Sequence, residues 1–296
     1  MPQRISSLSN IITYAENIPY IFEKKFGKSL RVTSADVAHS LKKIFSDPRL
    51  AKICEDFKGR KISLKPNMAG IYPKDVKGLT TSMEVVEGVI LFLKNSRRSF
   101  KYSSLNIIES TSINLPNSSD YMFQITGLEE IAQKHGVPLI DAKKDSYFKI
   151  KKKFSHIDEL LVSKELQKTD ILINIPVMKG YPFTLCCKNL MGLLADPYKP
   201  KMHTDLKNKV PELACILRPT INIVDGIYGA MNHAGDKIRN IGSKKFNTIL
   251  VSLDPLATDY CASKMWGYKN KKVSTLNFDY AEGIRLGKLN YKIAKT

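Results

Sequence analysis

The sequence has few cysteines and no arrangement of them that is typical of a disulfide or metal site. Five cysteines occur in 296 residues, an odd number, and no C-x-x-C pair is present. Zinc and iron–sulfur sites need regularly spaced thiolates. We therefore predict reduced core cysteines in a cytoplasmic protein, with no iron–sulfur cluster. The five cysteines are Cys54, Cys186, Cys187, Cys215 and Cys261.

Long apolar runs and the common phosphate-cradling motifs are also missing. No stretch reaches the roughly 18–20 consecutive apolar residues of a membrane-spanning helix, and no secretory signal is visible at the N-terminus. No G-x-x-x-x-G-K-[ST], G-x-G-x-x-G or G-x-S-x-G motif follows a predicted strand. These absences argue against a membrane partner, a P-loop, a Rossmann dinucleotide site and an α/β-hydrolase elbow.

Acidic residues are scarce relative to basic ones. The chain has 47 lysines and arginines against 28 aspartates and glutamates, a formal net charge of +19. Such an excess fits nucleic acid, a membrane surface or an anionic metabolite as a partner. The excess is mostly lysine spread along the whole chain, which is weak evidence for nucleic-acid binding. We therefore favour an anionic small molecule.

One lysine-rich segment interleaves its cations with aromatic residues. Residues 141–156 read DAKKDSYFKIKKKFSH. This pattern occurs where proteins bind nucleic acids or other polyanions, and also in solvated hairpins. We favour the solvated hairpin or connection. The segment is also the candidate junction, near residues 143–168, if the chain folds into two lobes.

Short apolar runs alternate with helical patterns from residue 61 onward. Continuous apolar strands separated by helices are typical of a mainly parallel sheet covered on both faces, so we predict an α/β fold. Residues 1–60 are predicted to be a helical lead-in and residues 61–296 the α/β domain. The predicted strands are 62–65, 105–109, 138–141, 171–176, 221–225 and 248–254. The predicted helices include 81–95, which starts with a capping box of Thr81 and Glu84, 121–134 and 255–266. Two earlier helices start at a box of Thr33 and Asp36 and at Asp47.

A short apolar helix is predicted over residues 183–194, with Lys188 in its middle. A helix that is apolar on nearly every side is expected to be buried, and a buried ammonium is costly without a partner. Lys188 either extends its side chain to solvent along the edge of the core or points into a polar cleft and holds an anion. Gly192, on the same face, would leave room for it.

Polar residues follow the predicted strands. In open parallel sheets, ligands bind beyond the carboxyl ends of the strands, so these residues should meet in one cleft. The lysines would bind an anion, the amides would orient it, and the carboxylates would act as acids and bases or hold a divalent cation. The candidate binding residues are Lys65, Asn67, Asn174, Lys179, Lys188 and Asn189. The candidate acid–base carboxylates are Glu109, Asp225 and Asp259.

Several candidate residues have an alternative, purely structural role. Asp254, which ends the sixth strand, has the position of a helix cap, and Asp225 with Gly226 has the pattern of a turn. His203 lies on the loop PYKPKMH, where neighbouring lysines would lower its pKa and leave a neutral imidazole at pH 7. This suits His203 for acid–base work, although a surface role is equally open.

Several motifs resemble one known family. The sequences KPN (65–67), INIPVMK (173–179), CKNLMGLL (187–194), IVDGI (223–227) and LDPLATD (253–259) are similar to the pattern of the domain-of-unknown-function 362 family. Order and spacing match from Ile62 to Gly287. The chain departs from the family pattern at residues 176–181, where the pattern usually reads P-K-x-K-x-H. Some family members carry a fused ferredoxin-like module, and the C-x-x-C-x-x-C run of such a module is absent here.

Together these features favour an enzyme that acts on a phosphorylated or carboxylated small molecule in a cleft of lysines, amides and carboxylates. The alternatives are a non-catalytic binding or regulatory protein that uses the same cleft, and a basic nucleic-acid binder. A homo-oligomer is compatible with the sequence, which does not determine the oligomeric state.

Overall fold

A central sheet organises the fold. The computed structural model describes residues 18–68, 77–111, 119–152, 154–180, 185–230, 242–268, 272–273 and 276–296. The strands are β1 (Tyr20–Lys25), β2 (Lys61–Pro66), β3 (Ser104–Glu109), β4 (Leu139–Asp141), β5 (Tyr147–Lys151), β6 (Glu159–Ser163), β7 (Ile171–Ile175), β8 (Val177–Lys179), β9 (Ile221–Ala230), β10 (Ser243–Ser252), β11 (Lys272–Val273), β12 (Leu276–Asn277) and β13 (Lys292–Lys295).

Helices connect most of these strands. They are α1 (Ser34–Phe45), α2 (Pro48–Glu55), α3 (Met83–Asn95), α4 (Arg97–Phe100), α5 (Asp120–Thr126), α6 (Leu128–Lys134), α7 (Cys186–Asn189), α8 (Tyr198–His203), α9 (Leu206–Leu217), α10 (Pro255–Trp266) and α11 (Phe278–Gly283). Short 3-10 turns follow at Lys164–Gln167 and Leu190–Leu193. In the part of the chain that the structure describes, no helix combines the length and apolarity needed to cross a membrane.

The main sheet has the order β13-β1-β10-β9-β7-β2-β3-β4, with β8 paired to β9. Strands β4, β3, β2, β7 and β9 are parallel to one another. Strand β10 is antiparallel to both of its neighbours. The predicted α/β class with a mainly parallel sheet is therefore confirmed.

Both faces of the sheet are buried, which explains the continuous apolar strands. In β7, Ile171 and Ile173 pack in a core with α1 and α3. Leu172, between them, packs in a second core with α7, α9 and α10. Because successive side chains of a strand point to opposite faces, this alternation places a helical layer on each side of the sheet.

The direction of β10 differs from the prediction. Ser252 pairs with Asn222 at the start of β9, so β10 ends at the opposite edge of the sheet from the other predicted strand exits. The prediction that all six exits share one edge is wrong for the sixth, which carries Asp254. Strands β9 and β10 each run for ten residues and pair along most of that length, an antiparallel arrangement that needs no crossover helix.

The helix starts were predicted in part. The capping box of Thr33 and Asp36 opens α1, and Asp47 caps α2. The predicted box of Thr81 and Glu84 is wrong, because α3 begins at Met83 and Thr81 Oγ1 instead donates to the carbonyl of Ile175 at 2.7 Å. The single helix predicted over 121–134 is two helices, separated at Gly127, which has a φ of +81°.

The structure of three other segments can be compared with the predictions. Strand β1 lies between β10 and β13, so residues 1–60 contribute a strand to the main sheet as well as helices. The lysine-rich segment contributes strand β5 of the β5–β6 hairpin, in agreement with the favoured prediction. The apolar helix predicted over 183–194 is the short α7 followed by a 3-10 turn. Positions 183 and 184 lie outside the described residues.

Candidate anion-binding site

A chain of side-chain amides runs beneath α7. Lys179 Nζ donates to Asn67 Oδ1 at 2.8 Å, and Asn67 Nδ2 donates to Asn189 Oδ1 at 2.9 Å. Asn189 Nδ2 donates to Asn174 Oδ1 at 2.8 Å, and Asn174 Nδ2 donates to Asn222 Oδ1 at 3.0 Å. The structure therefore joins the three predicted amides, Asn67, Asn174 and Asn189, to a fourth, Asn222, that the sequence analysis missed.

Strand register explains how these polar groups meet in a buried sheet. Lys65 on β2, Asn174 on β7 and Asn222 on β9 are lateral neighbours across three parallel strands. Neighbours in register share a face of the sheet, so each polar residue finds a partner beside it. Asn189 of α7 lies over this row and also donates to the Lys65 carbonyl at 3.1 Å. Asn222, like Asn174, interrupts a buried apolar run, and this was the signal that could have identified it.

Lys65 and Glu109 form a buried ion pair behind the amides. Lys65 Nζ lies 2.6 Å from Glu109 Oε2, and their side chains are 1% and 2% exposed. Glu109 also accepts hydrogen bonds from the backbone N–H of Met68 and Ser110, at 3.1 and 2.7 Å. Burial lowers the pKa of Lys65 and raises that of Glu109, while each charge opposes that effect on the other. The charge of Lys65 is therefore balanced within the protein.

Gly192 leaves space for this ion pair because it has no side chain. A Cβ on Gly192 would clash with Glu109 Oε1 and lie 2.8 Å from Lys65 Nζ. The prediction that Gly192 leaves room for Lys188 is wrong, because the pair that occupies the space is Lys65 with Glu109. The reason is the 3-10 geometry after Asn189, which changes the side-chain alignment expected of a continuous α-helix.

Lys179 and Lys188 differ from Lys65 in the part of the chain that the structure describes. Among the described residues, no carboxylate lies within ion-pair distance of either ammonium, although Lys179 is only 3% exposed and Lys188 is partly buried. Burial, with a contribution from the charge of Lys188, lowers the pKa of Lys179 to about 7. Burial alone lowers the pKa of Lys188 to about 8. Two neighbouring ammonium groups thus sit in a medium that penalises their charge.

A further buried lysine belongs to the same basic region. Lys199 Nζ donates to Ser110 Oγ at 2.8 Å, to the Thr111 carbonyl at 3.1 Å and to Asp196 Oδ1 at 2.7 Å. The other carboxylate oxygen of Asp196 lies 3.2 Å from Lys143 Nζ. Sequence reasoning noted Lys199 near the apolar helix without selecting it. Its contacts show that it closes the side of the region next to Glu109.

His203 lies at the end of α8, on the side of Lys188. The imidazole is accessible to solvent, yet partial burial and the charge of Lys188 lower its pKa below 6.5. The predicted lysine effect is therefore present, although burial is the larger cause. A neutral imidazole at pH 7 can accept a proton.

Asp225 and Asp259 each hold backbone N–H groups with both oxygens. Asp225 accepts from Ser82 N at 2.7 Å and Ile227 N at 3.0 Å. Asp259 accepts from Cys186 N at 2.8 Å and Cys187 N at 3.2 Å, at the start of α7. Burial raises the pKa of both carboxyls to about 6. In these positions the two carboxylates hold the starts of α3 and α7 through hydrogen bonds rather than form ion pairs with the lysines.

Asp254 has the capping role that its sequence position suggested. It accepts from the backbone N–H of Ala257, at 2.8 Å, in the first turn of α10. It also accepts from Lys288 N at 2.9 Å, which ties the C-terminal segment to the same helix.

The described residues contain no cluster of three or more histidine, cysteine or acidic side chains that could hold a metal ion. Burial and the nearby carboxylate of Asp259 raise the pKa of both Cys186 and Cys187 well above the ordinary thiol value. These thiols are therefore protonated core groups.

Comparison with known proteins places the chain in a family. A family model described as a domain of unknown function (DUF362) matches residues 62–264, which is more than half of the chain. The chain belongs to this family, so the resemblance seen in its motifs is confirmed. The family description names no substrate.

Two individual proteins are similar to parts of the chain. A thylakoid-associated protein of Synechocystis sp. is 25% identical over 144 residues, which cover 45% of this chain and 43% of that protein. The solved apoprotein of lactate racemase from Thermoanaerobacterium thermosaccharolyticum superposes with a TM-score of 0.41 and 11% identity. That superposition covers 76% of this chain and 54% of the racemase chain. The chain thus spans about half the length of each of these proteins.

Proposed function

We propose that this protein is an enzyme that binds a phosphorylated or carboxylated small molecule at Lys179 and Lys188. The observation that carries the proposal is the contrast between two kinds of buried lysine. Lys65 is neutralised by Glu109 at 2.6 Å, whereas Lys179 has only the neutral oxygen of Asn67 as its hydrogen-bond acceptor among the described residues. A buried lysine without an opposite charge lowers the stability of the fold, so its presence indicates a role other than stabilisation.

The energetics favour an anion as the missing partner. Removing an ammonium from water costs several kcal/mol unless an opposite charge and hydrogen bonds replace the lost solvation. A phosphate or carboxylate group offers both to Lys179 and Lys188 at once. Its arrival would raise the pKa of both lysines again, because a nearby negative charge favours their charged form.

The groups around the two lysines support proton transfer as the type of chemistry. His203, close to Lys188, is the candidate base because its lowered pKa leaves the imidazole neutral at pH 7. Lys179, with a pKa of about 7, is divided between its charged and neutral forms and can donate or accept a proton. Glu109, Asp225 and Asp259 take positioning roles in this proposal, because their carboxylates are engaged by Lys65 or by backbone N–H groups.

A binding protein without chemistry would use the same lysines. The two functions differ at His203, because anion binding alone does not require a base. His203→Gln, which keeps a polar side chain, should therefore leave ligand affinity nearly unchanged and abolish turnover if the protein is an enzyme. Turnover retained in His203→Gln would contradict the role of His203, and a wild type that binds the anion without converting any compound tested would favour the non-catalytic alternative.

The proposal can be tested by a ligand screen on matched variants. Thermal unfolding is measured with inorganic phosphate and with a panel of phosphorylated and carboxylated metabolites. We expect at least one compound to raise the melting temperature of the wild type and of Lys207→Met, which removes an exposed lysine on α9. The same compound should have no effect on Lys179→Met or Lys188→Met. Equal shifts in all four proteins would contradict the proposed site.

A further inference from the structure

A second concave site lies at the N-terminal end of α3. This cavity has a volume of about 820 Å³, within the range of small-molecule sites. It is formed by the loop before α1, the loop 77–82, the first turn of α3, part of α5, and β9 with β10. Neither Lys179, Lys188 nor His203 lines it. The site is thus distinct from the one assigned to the proposed function.

The lining combines an apolar wall with a basic opening. The apolar wall consists of Leu30, Val32, Leu79, Met83, Met122, Ile125 and Ile227. Arg31, Lys77 and Lys245 also line the cavity, and all three are exposed. They come from three separate segments of the chain. An apolar body and a basic opening together are the features that recognise an organic anion rather than a bare ion.

The three cations of the opening have no carboxylate partner within ion-pair distance among the residues described. Lys77 Nζ lies 4.8 Å from the centroid of the Tyr228 ring, and Lys245 Nζ lies 5.9 Å from it. Lys245 also donates to the Lys28 carbonyl at 2.9 Å. These contacts hold the side chains near the opening and do not themselves neutralise the positive charge.

The loop that carries Lys77 is fixed against the sheet. Gly78 has a φ of +86°, and a Cβ there would lie 2.7 Å from the carbonyl carbon of Gly229, so only glycine allows this approach. Ser243 Oγ on β10 donates a short hydrogen bond to the Lys77 carbonyl. The opening is therefore built by packing before any ligand arrives, which lowers the cost of binding.

Acidic groups line the part of the cavity next to α3. Glu84 lies in the first turn of α3, and Asp225 accepts a hydrogen bond at 2.7 Å from the backbone N–H of Ser82, the residue before that helix. The ligand's negative group therefore belongs at the basic opening and not at this end.

We propose that this cavity binds an amphipathic organic anion. Its apolar body would lie against Leu79, Met83 and Ile227, and its carboxylate, sulfonate or phosphate would lie between Arg31, Lys77 and Lys245. The inference goes beyond the proposed function, because it concerns a separate site and a ligand that must have an apolar part.

The test uses anilinonaphthalene sulfonate as a fluorescent probe and decanoate as its competitor. We expect one saturable site per chain in the wild type, with displacement by decanoate and not by inorganic phosphate. Arg31→Met and Lys245→Met should each weaken probe binding about fivefold, the factor for losing one exposed charge contact. Lys244→Met is the matched control, since Lys244 is the exposed neighbour of Lys245 and does not line the cavity.

Two further variants separate this site from the lysine site. Ile125→Trp, which fills the cavity and keeps its cations, should abolish saturable binding, while circular dichroism confirms that the variant is folded. Lys188→Met should leave probe affinity unchanged. If Lys188→Met abolishes probe binding, the probe occupies the site of the proposed function and the second site is contradicted. Equal affinities for Lys245→Met and Lys244→Met would contradict it as well.

Discussion

Lys179 Nζ lies 2.8 Å from Asn67 Oδ1, an uncharged amide oxygen, in a region where the neighbouring Lys65 has a carboxylate partner. Asn67 is held in turn by Asn189, next in sequence to Lys188. The amide network therefore positions the two unbalanced lysines relative to each other without neutralising them. We therefore distinguish Lys65, which stabilises the fold through its ion pair, from Lys179 and Lys188, which we assign to ligand binding.

The first prediction concerns Lys65, which stabilises the fold through its ion pair with Glu109. Lys65→Met should lower the free energy of unfolding by about 3–5 kcal/mol, because it leaves the Glu109 carboxylate buried without its partner. Urea unfolding of the variant and the wild type measures the difference. Adding Glu109→Gln to Lys65→Met should restore part of the loss, since the neutral amide can still accept from a backbone N–H. No loss in the single variant would show that the pair is not energetically coupled.

The second prediction concerns the contact between the 3-10 turn and this ion pair. Gly192→Ala should destabilise the protein by about 1–3 kcal/mol, because the new methyl group would push against Glu109 and Lys65. Gly283→Ala is the matched control, because a Cβ there meets no atom within 4 Å. The control should be neutral or stabilising by up to about 1 kcal/mol. Equal melting temperatures for the two variants would contradict the assigned role of Gly192.

The third prediction concerns pH. Burial lowers the pKa of Lys179 from 10.5 to about 7. Between these values the unfolded chain holds more protons than the folded chain, so the contribution of Lys179 to stability rises with pH from 7 to 10.5. The cost of its charge is fully present below pH 7. The stability of the wild type should therefore gain on that of Lys179→Met by at most about 1.4 kcal/mol per pH unit in this window.

Urea unfolding of both proteins at several pH values between 7 and 10 checks this difference. A saturating anion should flatten the pH dependence of the wild type, because it stabilises the charged form of Lys179. Parallel stability curves for wild type and variant in the absence of ligand would show that Lys179 titrates as an ordinary lysine.

Local patterns predicted the parts of the fold that depend on neighbours in sequence. The apolar runs predicted most ends of the parallel strands to within one residue, because both faces of these strands are buried. The Thr33–Asp36 box and Asp254 were correct because a cap is formed by residues within four positions of each other. The two segments around Gly127 were read as one helix because their apolar pattern is continuous across the glycine.

The remaining features depend on contacts between distant segments. The direction of β10 follows from its pairing with β9. Its apolar run resembles those of the parallel strands because the second half of β10 is buried as continuously as they are. Asn67, Asn174 and Asn189 were correctly expected to come together, yet the partner of Glu109 could not be chosen from sequence, because several lysines follow the predicted strands. Lys65 pairs with Glu109 because β2 and β3 are adjacent parallel strands, and this adjacency depends on contacts between distant segments.

The measurement that tests the central claim most directly is the unfolding free energy of Lys188→Met without ligand. If the protein does not balance the charge of Lys188, the variant should be as stable as the wild type or more stable by up to about 1–4 kcal/mol. The anion identified in the ligand screen should then bind it about 2–5 kcal/mol more weakly. A loss of about 3–5 kcal/mol in the ligand-free protein would show that Lys188 has a carboxylate partner within the fold, and would contradict its assignment to an anion.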